Sequence, residues 1–158
     1  NNSEDICIDQ LLMRTLLIIE ERNVFPEAVL YVNFEYLFRP DNIFDELIYD
    51  AQYGGYDTIF CGIPQYSHYW HKNDDEEYVA IDASLMSEEK REPVYKVMYG
   101  LGCLTSSSIL RKGKLIDGKI GIVAIDDTVK YNLRYDGSSL TENLMTHIYS
   151  NKEFKITE

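Results

Sequence analysis

The chain has 158 residues, the length of one domain, and its composition is typical of a globular protein, with 45% hydrophobic and 27% charged residues. Fifteen basic and 27 acidic residues give a formal net charge of -12, so we expect neither nucleic acid nor an anionic membrane as a partner. Three widely spaced cysteines show no disulfide or zinc pattern, and the longest apolar run is too short for a membrane span. Together these features predict a cytoplasmic protein.

The first part of the chain alternates helical and strand patterns. Apolar residues at helical spacing predict a first helix that ends near Asn23, and the short apolar run at 28–32 indicates a buried strand. A second helix is expected from Asp41, as its N-cap, to a glycine pair that ends at Gly55, and a strand follows at 58–63. Because parallel neighbours need a crossover connection, this alternation predicts a parallel sheet covered by helices.

The pattern changes between about residues 64 and 92, where aromatic and acidic residues replace the apolar periodicity. We interpret this segment as an excursion from a single domain that covers residues 1–158. Ser139 begins a capping box that predicts a last helix. Further strand candidates are residues 94–99, 101–105 and 120–125.

Polar residues follow the first strand and lead directly into the second helix. This segment, VNFEYLFRPDN, resembles the LQPTSPLRP segment of acylneuraminate cytidylyltransferases: Asn33 stands at the glutamine position, Glu35 at the threonine position, and Arg39-Pro40 is identical. Ligands of open α/β sheets bind beyond the carboxyl ends of strands, so the resemblance implies that Asn33, Glu35 and Arg39 lie beside a nucleotide or sugar. The alternative is that Arg39 pairs with a nearby carboxylate at the helix start.

A second segment, residues 91–105, resembles the RRQxxPxxyxxnGaiYi stretch of the same family, with matches at Arg91, Pro93, Tyr95 and Gly100. The resemblance implies that Arg91 contacts the carboxylate of an acidic sugar, a group that suits a bidentate guanidinium. Tyr95 and Gly100 would belong to the same substrate site. The alternative for Arg91 is a surface arginine in an acidic neighbourhood.

The chain departs from the family at the metal site. Family members carry an sIDID sequence whose aspartates hold a divalent ion, and Asn132 and Arg134 stand at those positions here. Arginine cannot ligate a hard cation, which leaves Asp126, Asp127 and Asp136 as candidates for Mg2+. Adjacent carboxylates on a strand point to opposite faces and cannot bind one ion together. We therefore interpret Asp126 and Asp127 as acidic turn residues.

The resemblance implies a three-layer α/β/α domain of the nucleotide-diphospho-sugar transferase type, with a mostly parallel sheet but without the family's N-terminal RxGSKGxxxKN loop, which wraps the CTP phosphates. It implies a transferase that uses CTP and Mg2+ to convert an acidic, sialic-type sugar to a CMP-sugar. It also implies a homodimer, formed through the aromatic residues 66–70 of the excursion.

The alternative is a non-catalytic module, derived from the same fold, that binds a sugar or nucleotide or that dimerises. Asn132, Arg134 and the missing loop favour it. Because both the loop and the metal-binding aspartates are missing, the chain is either a fragment of a longer enzyme or a domain reused without catalysis. In both cases we expect the chain alone to be inactive.

Overall fold

Helices and short strands alternate in the computed structural model, which describes residues 7–81, 90–127, 129–143 and 146. None of the helices in these ranges is both long enough and apolar enough to cross a bilayer. The helices are α1 (Ile8–Glu20), α2 (Ile43–Gly54), α3 (Ser107–Leu110) and α4 (Val129–Asn132). The strands are β1 (Ala28–Tyr31), β2 (Thr58–Gln65), β3 (Trp70–Lys72), β4 (Tyr78–Ala80), β5 (Val94–Val97), β6 (Cys103–Ser106) and β7 (Ile120–Ala124).

The main sheet is mixed and has five strands, with β2 at its centre. β6 lies between β1 and β2 and is antiparallel to both, while β5 is antiparallel to the later half of β2. β7 pairs with β2 in parallel. The predicted α/β class is therefore confirmed. β1, β2 and β7 run in the same direction, but β6 is inserted between β1 and β2, so in the described part of this sheet β2 and β7 form the one parallel pairing against three antiparallel ones. The sheet is therefore mixed and not the mostly parallel sheet that the alternation predicted.

Two apolar clusters hold helices against opposite faces of this sheet. Side chains alternate across a strand, so neighbouring residues of β2 face different clusters. Ile59 and Cys61 pack in the cluster that contains Leu47 of α2, whereas Phe60 packs in the cluster that contains Leu16 of α1. Because each large apolar side chain that is fully buried contributes about 1.5–3 kcal/mol, these contacts fix both helices on the sheet.

The carboxyl end of α2 matches the prediction from the sequence, and the amino end does not. Gly55 follows the helix with a φ of 62°, which is the left-handed stop that the glycine pair predicts. The prediction of Asp41 as N-cap is wrong. Asn42 occupies that position in the left-handed region, with a φ of 59°, and makes no side-chain capping hydrogen bond.

The excursion between β2 and β5 leaves the main sheet close to the predicted limits. β3 and β4 form a separate antiparallel hairpin. Two of its aromatic side chains, Trp70 and Tyr78, are 63% and 70% exposed. The hairpin therefore presents an aromatic surface to solvent in the part of the chain that the structure describes.

Candidate functional site

A cavity of about 440 Å³ opens at the carboxyl end of β1. Tyr31 and Asn33 line it from β1 and the loop that follows, and Tyr99 and Gly100 line it from the turn before β6. The wall is completed by the amino end of α1, Tyr36, Val97, residues 114–116 and Arg134. Its volume and its place beyond a strand end are typical of small-molecule sites in α/β proteins.

Two residues predicted from separate segments meet in this wall. The backbone N–H of Asn33 donates to the carbonyl oxygen of Gly100 at 2.8 Å. A Cβ on Gly100 would lie 2.7 Å from the Cβ of Asn33 and 2.7 Å from Cε2 of Tyr36, so this close approach suits glycine. The side-chain Oδ1 of Asn33 accepts from the backbone N–H of Glu35 at 2.9 Å, which folds the loop into an Asx turn. Glu35 is exposed and does not line the cavity.

Arg39 holds the same loop from the protein side. Its guanidinium donates to four backbone carbonyl oxygens, those of Asn33 (2.5 Å), Leu101 (3.1 Å), Tyr36 (3.2 Å) and Gly100 (3.4 Å). Burial lowers the pKa of Arg39 from its ordinary value, although arginine remains charged in proteins. The suggested pairing with a carboxylate is wrong, because the partners are carbonyl groups. Contact of Arg39 with a ligand stays a prediction.

Arg134, which the resemblance aligns with a metal-binding aspartate, brings a guanidinium to the cavity wall, and its role as a cation there was not predicted from the sequence. Its Nη2 donates to the hydroxyl of Tyr36 at 2.5 Å, and the guanidinium carbon lies 4.5 Å from the centre of the same ring. The two residues also form a backbone bridge. They are 98 residues apart in the sequence, so only the folded chain reveals the pair. The ion pairs in the described part of the chain do not include Arg134.

The cavity is locally more positive than the rest of the protein. Lys114 and Arg134 line it together with one carboxylate, Asp9. Lys114 also pairs with Asp117, whose Oδ2 is 2.8 Å from its Nζ. Since the chain has a formal net charge of -12, this wall is an exception that favours an anionic ligand over a cationic one.

The hydroxyls of Tyr31 and Tyr99 in the wall remain protonated at neutral pH. Burial raises the pKa of Tyr31 above its ordinary value, and the negative charge of Glu35 raises it further, while Arg134 opposes the shift. Burial is also the main cause of the raised pKa of Tyr99. Both phenols are therefore neutral groups that can donate a hydrogen bond as well as accept one.

Arg91 and Tyr95 do not line this cavity. Arg91 is only 8% exposed, so the alternative of a surface arginine is wrong, and its Nη1 donates to the carbonyl oxygen of Tyr66 at 2.6 Å. Tyr95 lines a second cavity of about 330 Å³ beside the excursion. The structure brings Asn33 and Gly100 together but leaves these two residues elsewhere, and their predicted contact with substrate stays a prediction.

The acidic residues considered for Mg2+ do not form a cluster. Asp126 and Asp127 follow the end of β7 and are exposed outside any strand, as expected of turn residues. Oδ1 of Asp127 accepts from Nδ2 of Asn132 at 3.2 Å. Among the residues that the structure describes, no group of three or more His, Cys, Asp or Glu side chains is arranged to hold a metal ion. The described residues therefore offer no ready donor set for the divalent ion that the resemblance implies, and binding of Mg2+ stays a prediction.

Asp136, the third candidate, is engaged in a helix start. Its Oδ1 accepts from the backbone N–H of Ser138 at 2.9 Å and from Oγ1 of Thr141 at 2.8 Å. Hydrogen bonds from these two residues lower the pKa of Asp136 to about 2. Oγ of Ser138 in turn accepts from the backbone N–H of Thr141 at 3.3 Å, so the helical turn at 139–143 is capped one residue earlier than the predicted Ser139.

The arrangement at the end of β1 can recognise a small molecule that carries both an acidic group and a polar ring. A guanidinium matches a carboxylate or phosphate, while neutral phenols suit hydroxyl and carbonyl groups. The tyrosine rings also provide apolar surface against which a base or sugar ring can pack. No protein-family model and no curated protein sequence matches the chain.

Proposed function

We propose that the chain binds a small anionic molecule with a ring, of the nucleotide or acidic-sugar type, in the cavity at the end of β1. The observation that carries this proposal is the presence of Arg134 and Lys114 in the cavity wall beside neutral tyrosines. A protein with a net charge of -12 repels anions over most of its surface, so a local pair of cations marks the place where an anion is favoured.

The family resemblance supports the same place. Asn33 and Gly100 come from the two segments that resemble acylneuraminate cytidylyltransferases, and they are joined by a hydrogen bond in the cavity wall. Helices on both faces of a mixed sheet are compatible with the three-layer architecture of that family. We therefore propose a nucleotide-diphospho-sugar transferase-like fold and, from the composition, a cytoplasmic location.

Nucleotidyl transfer itself is the second candidate function. In that reaction CTP and an acidic sugar give a CMP-sugar and pyrophosphate. The meeting of Asn33 and Gly100 favours it, whereas the absence of an acidic cluster among the described residues weighs against it. We propose binding as the function that this geometry supports best, and transfer as the second candidate.

Isothermal titration calorimetry with CTP, CMP and N-acetylneuraminate tests the binding proposal. We expect saturable binding of at least one of the three, weaker at high salt because ions screen the cavity charges. Glucose, a neutral sugar, serves as the control and should give no binding. Absence of binding by all three anions would refute the proposal. Pyrophosphate release from CTP, only when the sugar and Mg2+ are both present, would instead support transfer.

We also propose that two chains associate through the aromatic surface of the excursion. Tyr66, Trp70 and Tyr78 are exposed there, and aromatic residues are enriched at protein interfaces. Sedimentation equilibrium should give the mass of two chains for the wild type and of one chain for Trp70→Ala. A wild-type mass of one chain at micromolar concentration would contradict a homodimer.

A further inference from the structure

We infer that ligand binding in this cavity does not require a divalent cation, because Arg134, held in place by Tyr36, supplies the positive charge itself. This inference rests on the proposed function, since it concerns how the same cavity recognises an anion. It departs from the metal-dependent chemistry that the family resemblance implies.

The charge of Arg134 is fixed in position by its surroundings. Tyr36, which is 3% exposed, holds the guanidinium through both its hydroxyl and its ring face. Backbone hydrogen bonds on either side join the two segments. The N–H of Leu37 donates to the carbonyl oxygen of Leu133 at 3.3 Å, and the N–H of Tyr135 donates to the carbonyl oxygen of Glu35 at 2.6 Å. A charge that is already oriented needs little reorganisation when an anion arrives, which favours binding.

The guanidinium keeps donors that can reach a ligand. The hydrogen bond to Tyr36 uses Nη2, and the contacts of Arg134 in the described part of the chain leave Nε and Nη1 without a protein partner. Arg134 is exposed and lines the cavity. Nη2 carries two N–H bonds and Tyr36 accepts only one of them, so one edge of the guanidinium, either Nε with Nη2 or Nη1 with Nη2, can still form two parallel hydrogen bonds to one carboxylate or phosphate.

The nearby acidic groups do not offer a competing metal site. Asp136 accepts from Ser138 and Thr141, and Asp127 accepts from Asn132. Asp9, the one carboxylate in the cavity wall, belongs to no group of three or more candidate ligands among the described residues. A divalent ion would also be repelled by a guanidinium placed in the same cavity. The structure thus provides a permanent cation where the resembling enzymes provide ligands for one.

Titrations of CMP and of N-acetylneuraminate, in excess EDTA and in excess magnesium chloride, test the inference. We expect the dissociation constant of the wild type to agree in the two buffers within about twofold. Arg134→Met should weaken binding about 10-fold or more in both buffers, because a hydrogen bond to a charged group is lost. The affinity of Arg134→Lys should fall between those of the wild type and Arg134→Met, since lysine keeps the charge but not the planar fork.

Two further variants separate a role in recognition from a general effect. Tyr36→Phe should weaken binding less than Arg134→Met, because it removes only the hydroxyl that holds Nη2. Arg111→Met is the matched control, since it removes an arginine that pairs with Glu20 outside the cavity, and its affinity should equal that of the wild type. Thermal unfolding of each variant serves to check that the fold is retained.

The outcomes distinguish the inference from the proposed function. Binding that disappears in EDTA and returns with magnesium would overturn the inference while leaving the proposed function intact. Unchanged affinity of a folded Arg134→Met variant would also overturn it. Failure of the wild type to bind either probe in either buffer would overturn the inference, and absence of CTP binding as well would overturn the proposed function.

Discussion

Arg39 offers the sharpest test of the site geometry, because the family resemblance gives it a ligand and the structure gives it four backbone carbonyls. Arg39→Met keeps most of the side-chain volume and removes these hydrogen bonds. A hydrogen bond to a charged group contributes about 1.5–3 kcal/mol, but four that share one partly exposed side chain do not add, so we expect a total loss of about 3 kcal/mol. In a domain of this size that corresponds to a fall in Tm of roughly 6–12 °C.

Urea and thermal unfolding followed by circular dichroism measure this loss. Arg39→Lys should also be destabilised, because one ammonium group cannot reach carbonyls on both sides of the loop. Arg111→Met, which breaks an exposed ion pair with Glu20, should be destabilised much less than Arg39→Met, because exposed ion pairs contribute little to stability. If Arg39→Met unfolds like the wild type but binds ligand more weakly, the structural role argued for Arg39 is refuted and the ligand-binding role is supported.

Three other perturbations probe the wall, the core and the helix start. Gly100→Ala places a Cβ against Asn33 and Tyr36 in the wall. Calorimetry should show weaker ligand binding, and thermal unfolding should show that the free energy of unfolding falls by about 1–3 kcal/mol. If neither value changes, the close approach at Gly100 is contradicted. Burial raises the pKa of Cys61 to about 12 and that of Cys103 to about 11. Only the exposed Cys7 should therefore react with a thiol reagent in the folded protein at pH 8, whereas all three cysteines should react after denaturation. Rapid reaction of more than one thiol in the folded protein would contradict this burial. The pKa of Asp136, lowered to about 2, means that its carboxylate stabilises the fold above its unfolded value of about 4 and that this contribution is lost as the pH falls through about 2. NMR titration of its carboxyl carbon should show the low midpoint, and Asp136→Asn should flatten the acid dependence of stability; an ordinary midpoint would contradict the helix-start contacts.

The helices and strands of the main sheet follow from local patterns in the sequence. The apolar stripe of α1, the glycine stop of α2 and the apolar runs of β1 and β2 each involve residues within a few positions of one another. The end of α2 at Gly55 was predictable because a left-handed residue there needs little side-chain context. Asn42 was not, since its unusual φ depends on how the loop before α2 is held.

The order of the strands was beyond the reach of those patterns. The insertion of β6 between β1 and β2 pairs Ala28 with Ser106 and Thr58 with Thr105, contacts between distant parts of the chain. An apolar run shows that a strand is buried but not which strand it adjoins. This is why the alternating pattern predicted the α/β class correctly but a parallel sheet where the structure has a mixed one.

The candidate site was predicted in part for the same reason. Asn33 and Gly100 were found because each belongs to a segment with a recognisable resemblance, and the fold brings them together. The contribution of Arg134 was missed because its partner, Tyr36, lies 98 residues away. The partners of Arg39 are carbonyl groups, which every residue carries, so no residue type in the sequence could signal them.

The contacts of Arg39 also have a consequence for the order in which the chain folds. They join segments about 62 residues apart, and closing so long a loop is entropically unfavourable until β1 and β6 have paired. We therefore expect the region around the end of β1 to become ordered late in folding and to open first when the protein is stressed. Variants with weakened cores would then lose the cavity before they lose the sheet, and hydrogen exchange at the backbone N–H of Asn33 would report that early opening.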